Sequence, residues 1–240
     1  MKRVLTGVVT VTLTTLVTVT PAQAAPSDPV KALKSRFSAG KGVKFTEVTS
    51  FAEFSGSTPF LKRTGSLRSG GTGIAASDIS AKYTPRSGQI FNSLSGMLGS
   101  ERTIRIGTTS YYSGSMWAPP KGKTWVKVTN GLVGGISGWY GQRVNVAEPA
   151  TLNALVTSGK RAGRTYSGRI GFGKLEKISP WFRAITPTKA DRNVVVDFTL
   201  TLGPDRLPQR LVTSYPATVH FEKVVVDDAL FSTETRFTGW

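Results

Sequence analysis

Val194, Val196, Phe198, Leu200 and Leu202 alternate with Val195, Asp197, Thr199 and Thr201. A period of two sustained over this run places one apolar row on one face of a β-strand. Such a strand cannot stand alone, because its dry face needs cover and its edges need partners. Whatever this chain folds into must contain a sheet with at least one buried face.

The remainder of the sequence supplies the partners. Residues 43–54 are strand-like, although Glu47 interrupts the apolar alternation, which a bulge or a twist would explain. Residues 61–67 and 74–83 read as two further strands joined at Gly70-Gly71. The stretch 102–112 alternates as one strand, with Ile104 and Ile106 on one face and Thr103, Arg105 and Gly107 on the other. Residues 125–129 form another strand. Tyr166, Gly168, Ile170 and Phe172 alternate with polar or small neighbours. The turn Gly203-Pro204-Asp205-Arg206 folds 194–202 back on 207–214 as a hairpin, and 219–225 follows.

Helices are few. Asp28-Pro29 has the form of an N-cap followed by proline at the first helical position, and Val30, Leu33 and Phe37 follow at helical spacing. A second helix begins near Glu148-Pro149, carries Leu152, Leu155 and Val156 on one side, and ends at Gly159. Residues 178–185, with Trp181 and Phe182, form a third short candidate. The glycine-rich stretch 131–141 suits no regular element. No βαβ rhythm is present, so the expected class is α+β: an antiparallel, half-open β-barrel wrapped on two or three short helices.

Composition narrows the chemistry. The 240 residues include no Cys and one His, which removes disulfides, Cys-ligated metals, thiol nucleophiles and His-rich metal sites. Met1-Lys2-Arg3, an apolar stretch over 4–19, Pro21 and Ala22-Gln23-Ala24 have the order of a secretory leader with an A-x-A cleavage site. The expected division is residues 1–24 as signal peptide and 25–240 as one domain, secreted and not lipid-anchored. The net charge of +17 is spread over the chain. No helix-turn-helix, zinc-finger or RNP signature accompanies it, so no nucleic-acid partner is expected. Anionic membrane surfaces or wall polymers fit such a charge better.

Catalytic patterns are nearly absent. There is no G-x-S-x-G, P-loop or H-E-x-x-H motif. Ser38-Ala39-Gly40-Lys41 matches S-x-x-K without its companion motifs. His220 shares a strand face with Thr218 and Glu222, as an exposed residue does. Asp227-Asp228 lacks calcium-loop spacing, and Glu47 with Glu53 is a weak candidate for a carboxylate pair. The reading is of a non-enzyme without metal or cofactor.

Several segments carry a likeness to a known family. They are the N-terminal helix running into Lys44-Phe45-Thr46-Glu47, the run from Ile74 through Asp78 to Ile79, and Thr109-Ser110-Tyr111-Tyr112 followed by Gly122-Lys123-Thr124-Trp125-Val126-Lys127. Two more are Leu152-Asn153-Ala154-Leu155-Val156 leading to Gly163-Arg164-Thr165-Tyr166-Ser167-Gly168, and the hairpin over 194–210. In this arrangement the chain resembles the actinobacterial LppX/LprG-like envelope proteins and, more broadly, the LolA/LolB-like lipid-carrier superfamily. The resemblance implies a half-barrel holding a lipid or glycolipid between sheet and helices. It also allows a sensor or interaction role.

The cavity lining expected on that basis is Phe45, Ile104, Ile106, Tyr111, Trp125, Tyr166, Ile170, Phe172, Val196 and Phe198. Apolar walls suffice for an acyl chain, since each buried CH₂ contributes ~0.8 kcal/mol. A monomeric carrier predicts an open apolar cavity of at least ~300 Å³. The alternative is a cell-envelope interaction module with a filled core and a basic surface that binds a protein or an anionic polymer in a salt-sensitive way.

Overall fold

The computed structural model describes residues 28–53, 56–70, 73–84, 99–114, 116–186, 191–221 and 224–240. The expected leader lies outside them, as do the side chains of Glu53, His220, Glu222, Asp227 and Asp228. The strands are β1 (Gly42–Glu53), β2 (Gly56–Gly70), β3 (Gly73–Tyr83), β4 (Ser100–Ile106), β5 (Thr109–Gly114), β6 (Val126–Thr129), β7 (Lys160–Ala162), β8 (Thr165–Gly171), β9 (Val195–Leu202), β10 (Pro208–Phe221) and β11 (Val224–Thr238). The helices are α1 (Pro29–Arg36), α2 (Pro149–Ser158), α3 (Phe172–Ile178) and α4 (Pro180–Ile185), with a 3-10 turn at Ile136–Trp139.

All the strands belong to one antiparallel sheet in the order β6-β5-β4-β3-β2-β1-β11-β10-β9-β8-β7. The sheet is open, with β6 and β7 at its edges. Two meanders, one from each half of the chain, meet where β1 pairs with β11 along Lys44↔Thr238 to Ala52↔Leu230. The connection from β6 to β7 must therefore travel from one edge of the sheet to the other. A flat sheet of this strand number is ~50 Å wide at ~4.8 Å per strand. The connection, residues 130–159, crosses the inner face and becomes part of the inner layer together with the helices.

Burial alternates along the strands. Val43, Phe45, Glu47, Thr49 and Phe51 of β1 point inward, as do Val196, Phe198, Leu200 and Leu202 of β9. Glu47 thus keeps the alternation, and the irregularity lies at Thr49/Ser50 opposite β2. Residues 102–112 are not one strand but a hairpin, turned at Gly107 with φ +58. Residues 207–214 and 219–221 are not separate pieces: β10 runs from Pro208 to Phe221, while Val224 and Val225 already belong to β11, with which it pairs. Phe172 leaves the strand register to begin α3, a helix the apolar pattern does not reveal.

The helix ends follow their sequence signals. The Asp28 carboxylate accepts from Val30 N at 2.8 Å and Lys31 N at 3.3 Å, and Pro29 occupies the first turn. α2 begins at Pro149 and stops before Gly159. An aromatic chain ties the inner layer to the sheet: Tyr140, Phe60, Phe231, Tyr215, Phe172 and Phe182 lie ring to ring in that order at centroid distances from 4.9 to 6.0 Å.

Candidate functional site

The crossing segment is held by buried polar side chains that rise from the sheet. On β2 and β1, Arg63 and Glu47 are 1% and 2% exposed and form an ion pair, with Nε donating to Oε1 at 2.8 Å and Nη2 at 2.7 Å from it. Gln142 N donates to the same carboxylate at 3.1 Å, and the Thr235 hydroxyl to its other oxygen at 3.3 Å. Gln142 Oε1 in turn accepts from Thr213 Oγ1 at 2.8 Å and from Val144 N at 3.1 Å. On β4, Glu101 accepts from Ser137 N at 2.5 Å, Ile136 N at 3.3 Å and Trp117 Nε1 at 3.1 Å. Arg143 reaches back to Ile185 O at 3.1 Å, to Trp139 O and to the Tyr215 hydroxyl.

Glu148 closes the series at the start of α2. Its carboxylate accepts from Ser179 Oγ at 2.5 Å, Trp181 N at 2.7 Å and Thr151 Oγ1 at 2.9 Å. Burial pushes its pKa up, and those three donors oppose the shift. Burial, reinforced by the Glu101 carboxylate, likewise raises the Tyr83 hydroxyl. The chemistry of these groups is structural. Strap backbone N–H groups need acceptors in a dry interior, and the inward carboxylates supply them.

This layer fills the space where a lipid cavity was expected. The pocket between β3, β4 and the inner layer, beside Val133, Glu148 and Trp181, measures about 120 Å³. A larger space of about 530 Å³ opens between α2 and α3 at the end of β8. Ala150, Ala154, Ile170 and Ile178 form its apolar walls, and Arg169 and Lys174 stand at its rim. Arg169 is paired with Asp197 at 2.9 Å, whereas Lys174 has no ion pair among the described residues.

The sequence-derived lining residues divide into two sets. Phe45, Tyr166, Ile170, Phe172, Val196 and Phe198 are buried in the core, and of these Ile170 also floors the groove. Ile104, Ile106, Tyr111 and Trp125 do not join them. In β4 the inward positions are Glu101 and Thr103, so Ile104 and Ile106 take the outer face. Tyr111 stands directly across from Ile104 in the register, and the Arg102 guanidinium lies 5.9 Å from the Trp125 ring. The hydrophobic criterion assigns these residues to the interior, but the strap they would face presents polar backbone.

Sequence reasoning also missed Arg63, Glu101, Gln142, Arg143 and Glu148. Their signal was a polar residue at an inward position of an alternating strand, as at Glu47 and Glu101. Among the described residues no group of His, Asp or Glu could hold a metal ion, and no helix is long and apolar enough to cross a membrane.

No family model matches the sequence, and no curated protein matches it. Among solved structures the chain is similar to an outer membrane lipoprotein-sorting protein domain from Vibrio parahaemolyticus, at 10% identity and TM-score 0.27, covering 88% of each chain. It is also similar to a LolA superfamily protein from Nitrosomonas europaea, at 9% identity and TM-score 0.27, covering 90% of this chain and 92% of that one. Neither likeness is close enough for function to be carried across.

Proposed function

We propose that this chain is a secreted, non-enzymatic binding protein for a hydrophobic ligand with an anionic head, of the lipid class. The observation that carries the reading is the groove between α2 and α3. Its volume of about 530 Å³ falls in the range of small-molecule sites, ~300–1,000 Å³. Its walls are mainly apolar, with Asn153, Thr157 and Ser158 of α2 also lining it, and a cation stands at its rim, the pairing that suits an acyl chain with a phosphate or carboxylate head. The ligand thus sits at the margin between helices and sheet and not under the strap. The leader-like first segment supports export, and the family resemblance supports the ligand class.

The test is native mass spectrometry of the protein purified from its secreting host, followed by organic extraction. The expected result is a stoichiometric lipid that is lost in Ala154→Trp, where the indole occupies the groove while circular dichroism stays unchanged. A folded Ala154→Trp protein that retains the lipid would exclude the groove. A ligand-free mass that persists when lipid is offered would exclude the carrier reading.

A further inference from the structure

The outer face at the β4–β6 corner gathers what the interior lacks. Ile106 is 62% exposed, the most exposed large hydrophobic side chain among the described residues. In the register Ile104 stands across from Tyr111 and Tyr111 across from Lys127, so aliphatic, aromatic and cationic side chains form one row. Trp125 flanks the row just before β6, under Arg102, and Met116 is exposed in the loop that leads there.

The charge around this patch is predominantly positive. Residues 102–147 contain six Lys or Arg and no Asp or Glu, and of the six only Arg105 and Arg143 turn away, onto the carbonyls of Gly131 and Trp139. Lys121, Lys123 and Lys127 are exposed beside the patch. The neighbouring strand contributes Asp78, which pairs with Arg102 at 2.7 Å and leaves the three lysines unneutralised. An apolar surface ringed by uncompensated lysines complements an anionic, deformable, partly apolar partner. A Trp and a Tyr suit the headgroup level, where one end of the ring is dry and the other wet. Lysine stems lie along apolar surface while the ammonium groups reach phosphates.

We propose that this corner docks the protein on an anionic lipid bilayer, with Ile106 and Trp125 at the headgroup–acyl boundary and Lys121, Lys123 and Lys127 on the phosphates. The proposal stands apart from the groove, which lies on other elements of the fold.

The experiment is co-sedimentation of the full chain with vesicles of phosphatidylcholine alone or with about one third phosphatidylglycerol, at about 0.1 M salt. Binding is expected to the anionic vesicles. Lys121→Glu with Lys123→Glu and Lys127→Glu should weaken it roughly 100-fold. Ile106→Asp, a change at an exposed position, should weaken it about tenfold with an unchanged melting temperature. Brominated lipid should quench a fluorescence component that disappears in Trp125→Phe. Vesicle binding unaffected by Ile106→Asp, or soluble polyphosphate bound as tightly as vesicles, would overturn the proposal in favour of an anionic polymer. Absence of vesicle binding would overturn it outright. Lipid content of the groove, measured on Ile106→Asp, should remain at the wild-type level, which separates failure of docking from failure of the carrier reading.

Discussion

Gly141 lies flat against the guanidinium of Arg63: a Cβ at this glycine would stand 1.9 Å from Nη2 and 2.0 Å from Cζ. The contact joins the crossing segment to the centre of the sheet. Glycine is needed here for close approach, because any side chain would displace a cation that is itself paired in a dry interior.

Gly141→Ala is therefore expected to push Arg63 off Glu47 and to cost about 3–5 kcal/mol, the cost of breaking a buried ion pair. Gly73→Ala serves as the control, since a Cβ there meets nothing within 4 Å. Denaturant unfolding of both variants checks the expectation. Equal midpoints would mean that the strap yields without disturbing the pair.

The ion pair makes its own prediction. Arg63→Met leaves the Glu47 carboxylate buried with only Gln142 N and the Thr235 hydroxyl as donors, and should cost about 3–5 kcal/mol. In the double variant Glu47→Leu/Arg63→Met neither charge of the pair remains buried, and the main penalty is an unmatched Gln142 N–H, about 1–3 kcal/mol. The double variant should thus be more stable than Arg63→Met alone. A double variant whose loss equals the sum of the single losses would show that the two side chains act independently.

Much of this fold was legible because period-two patterning survives in single strands. Of the row Val194, Val196, Phe198, Leu200 and Leu202, the last four side chains are buried, and Val194, just before β9, is half-buried against the core. The α1 and α2 boundaries followed from Asp28-Pro29, Pro149 and Gly159, whose backbone preferences are local. The inward side of β4 was not legible. Ile104 and Ile106 present the stronger apolar row, yet Glu101 and Thr103 are the buried residues. That choice depends on a partner more than thirty residues away, the Ile136–Ser137 backbone, which needs an acceptor and not an aliphatic wall. Of the groove, the α2 wall and Ile170 lie on legible elements, whereas the wall from α3 was hidden, because the apolar pattern does not reveal that helix.

Glu101 tests that account directly. Both its oxygens accept from N–H donors, so Glu101→Gln must turn an amide NH₂ toward Ser137 N or toward Ile136 N and Trp117 Nε1. Losing a hydrogen bond to a charged acceptor costs about 1.5–3 kcal/mol. The amides of Ile136 and Ser137 should exchange with deuterium about tenfold faster or more in this variant. Unchanged protection would show that packing, and not the carboxylate, holds the strap.

Burial raises the Glu148 pKa above its ordinary value of 4.5. A carboxyl with a raised folded pKa contributes stability that is fully present below the unfolded value and is lost as pH rises through the folded value. Glu234 has the opposite sign: the hydrogen bond from Arg210 lowers its pKa, so its contribution is present above the unfolded value and is lost as pH falls. The whole protein mixes these slopes, and the informative quantity is the difference between wild type and Glu148→Gln. Unfolding free energies measured from about pH 4 to 8 should show the wild type losing ground to the variant as pH rises from 4.5, then a constant gap once Glu148 is ionised in both states. A difference that stays flat across this range would mean that the donors from Ser179, Trp181 and Thr151 cancel desolvation at this site, and one that grows in favour of the wild type that they outweigh it.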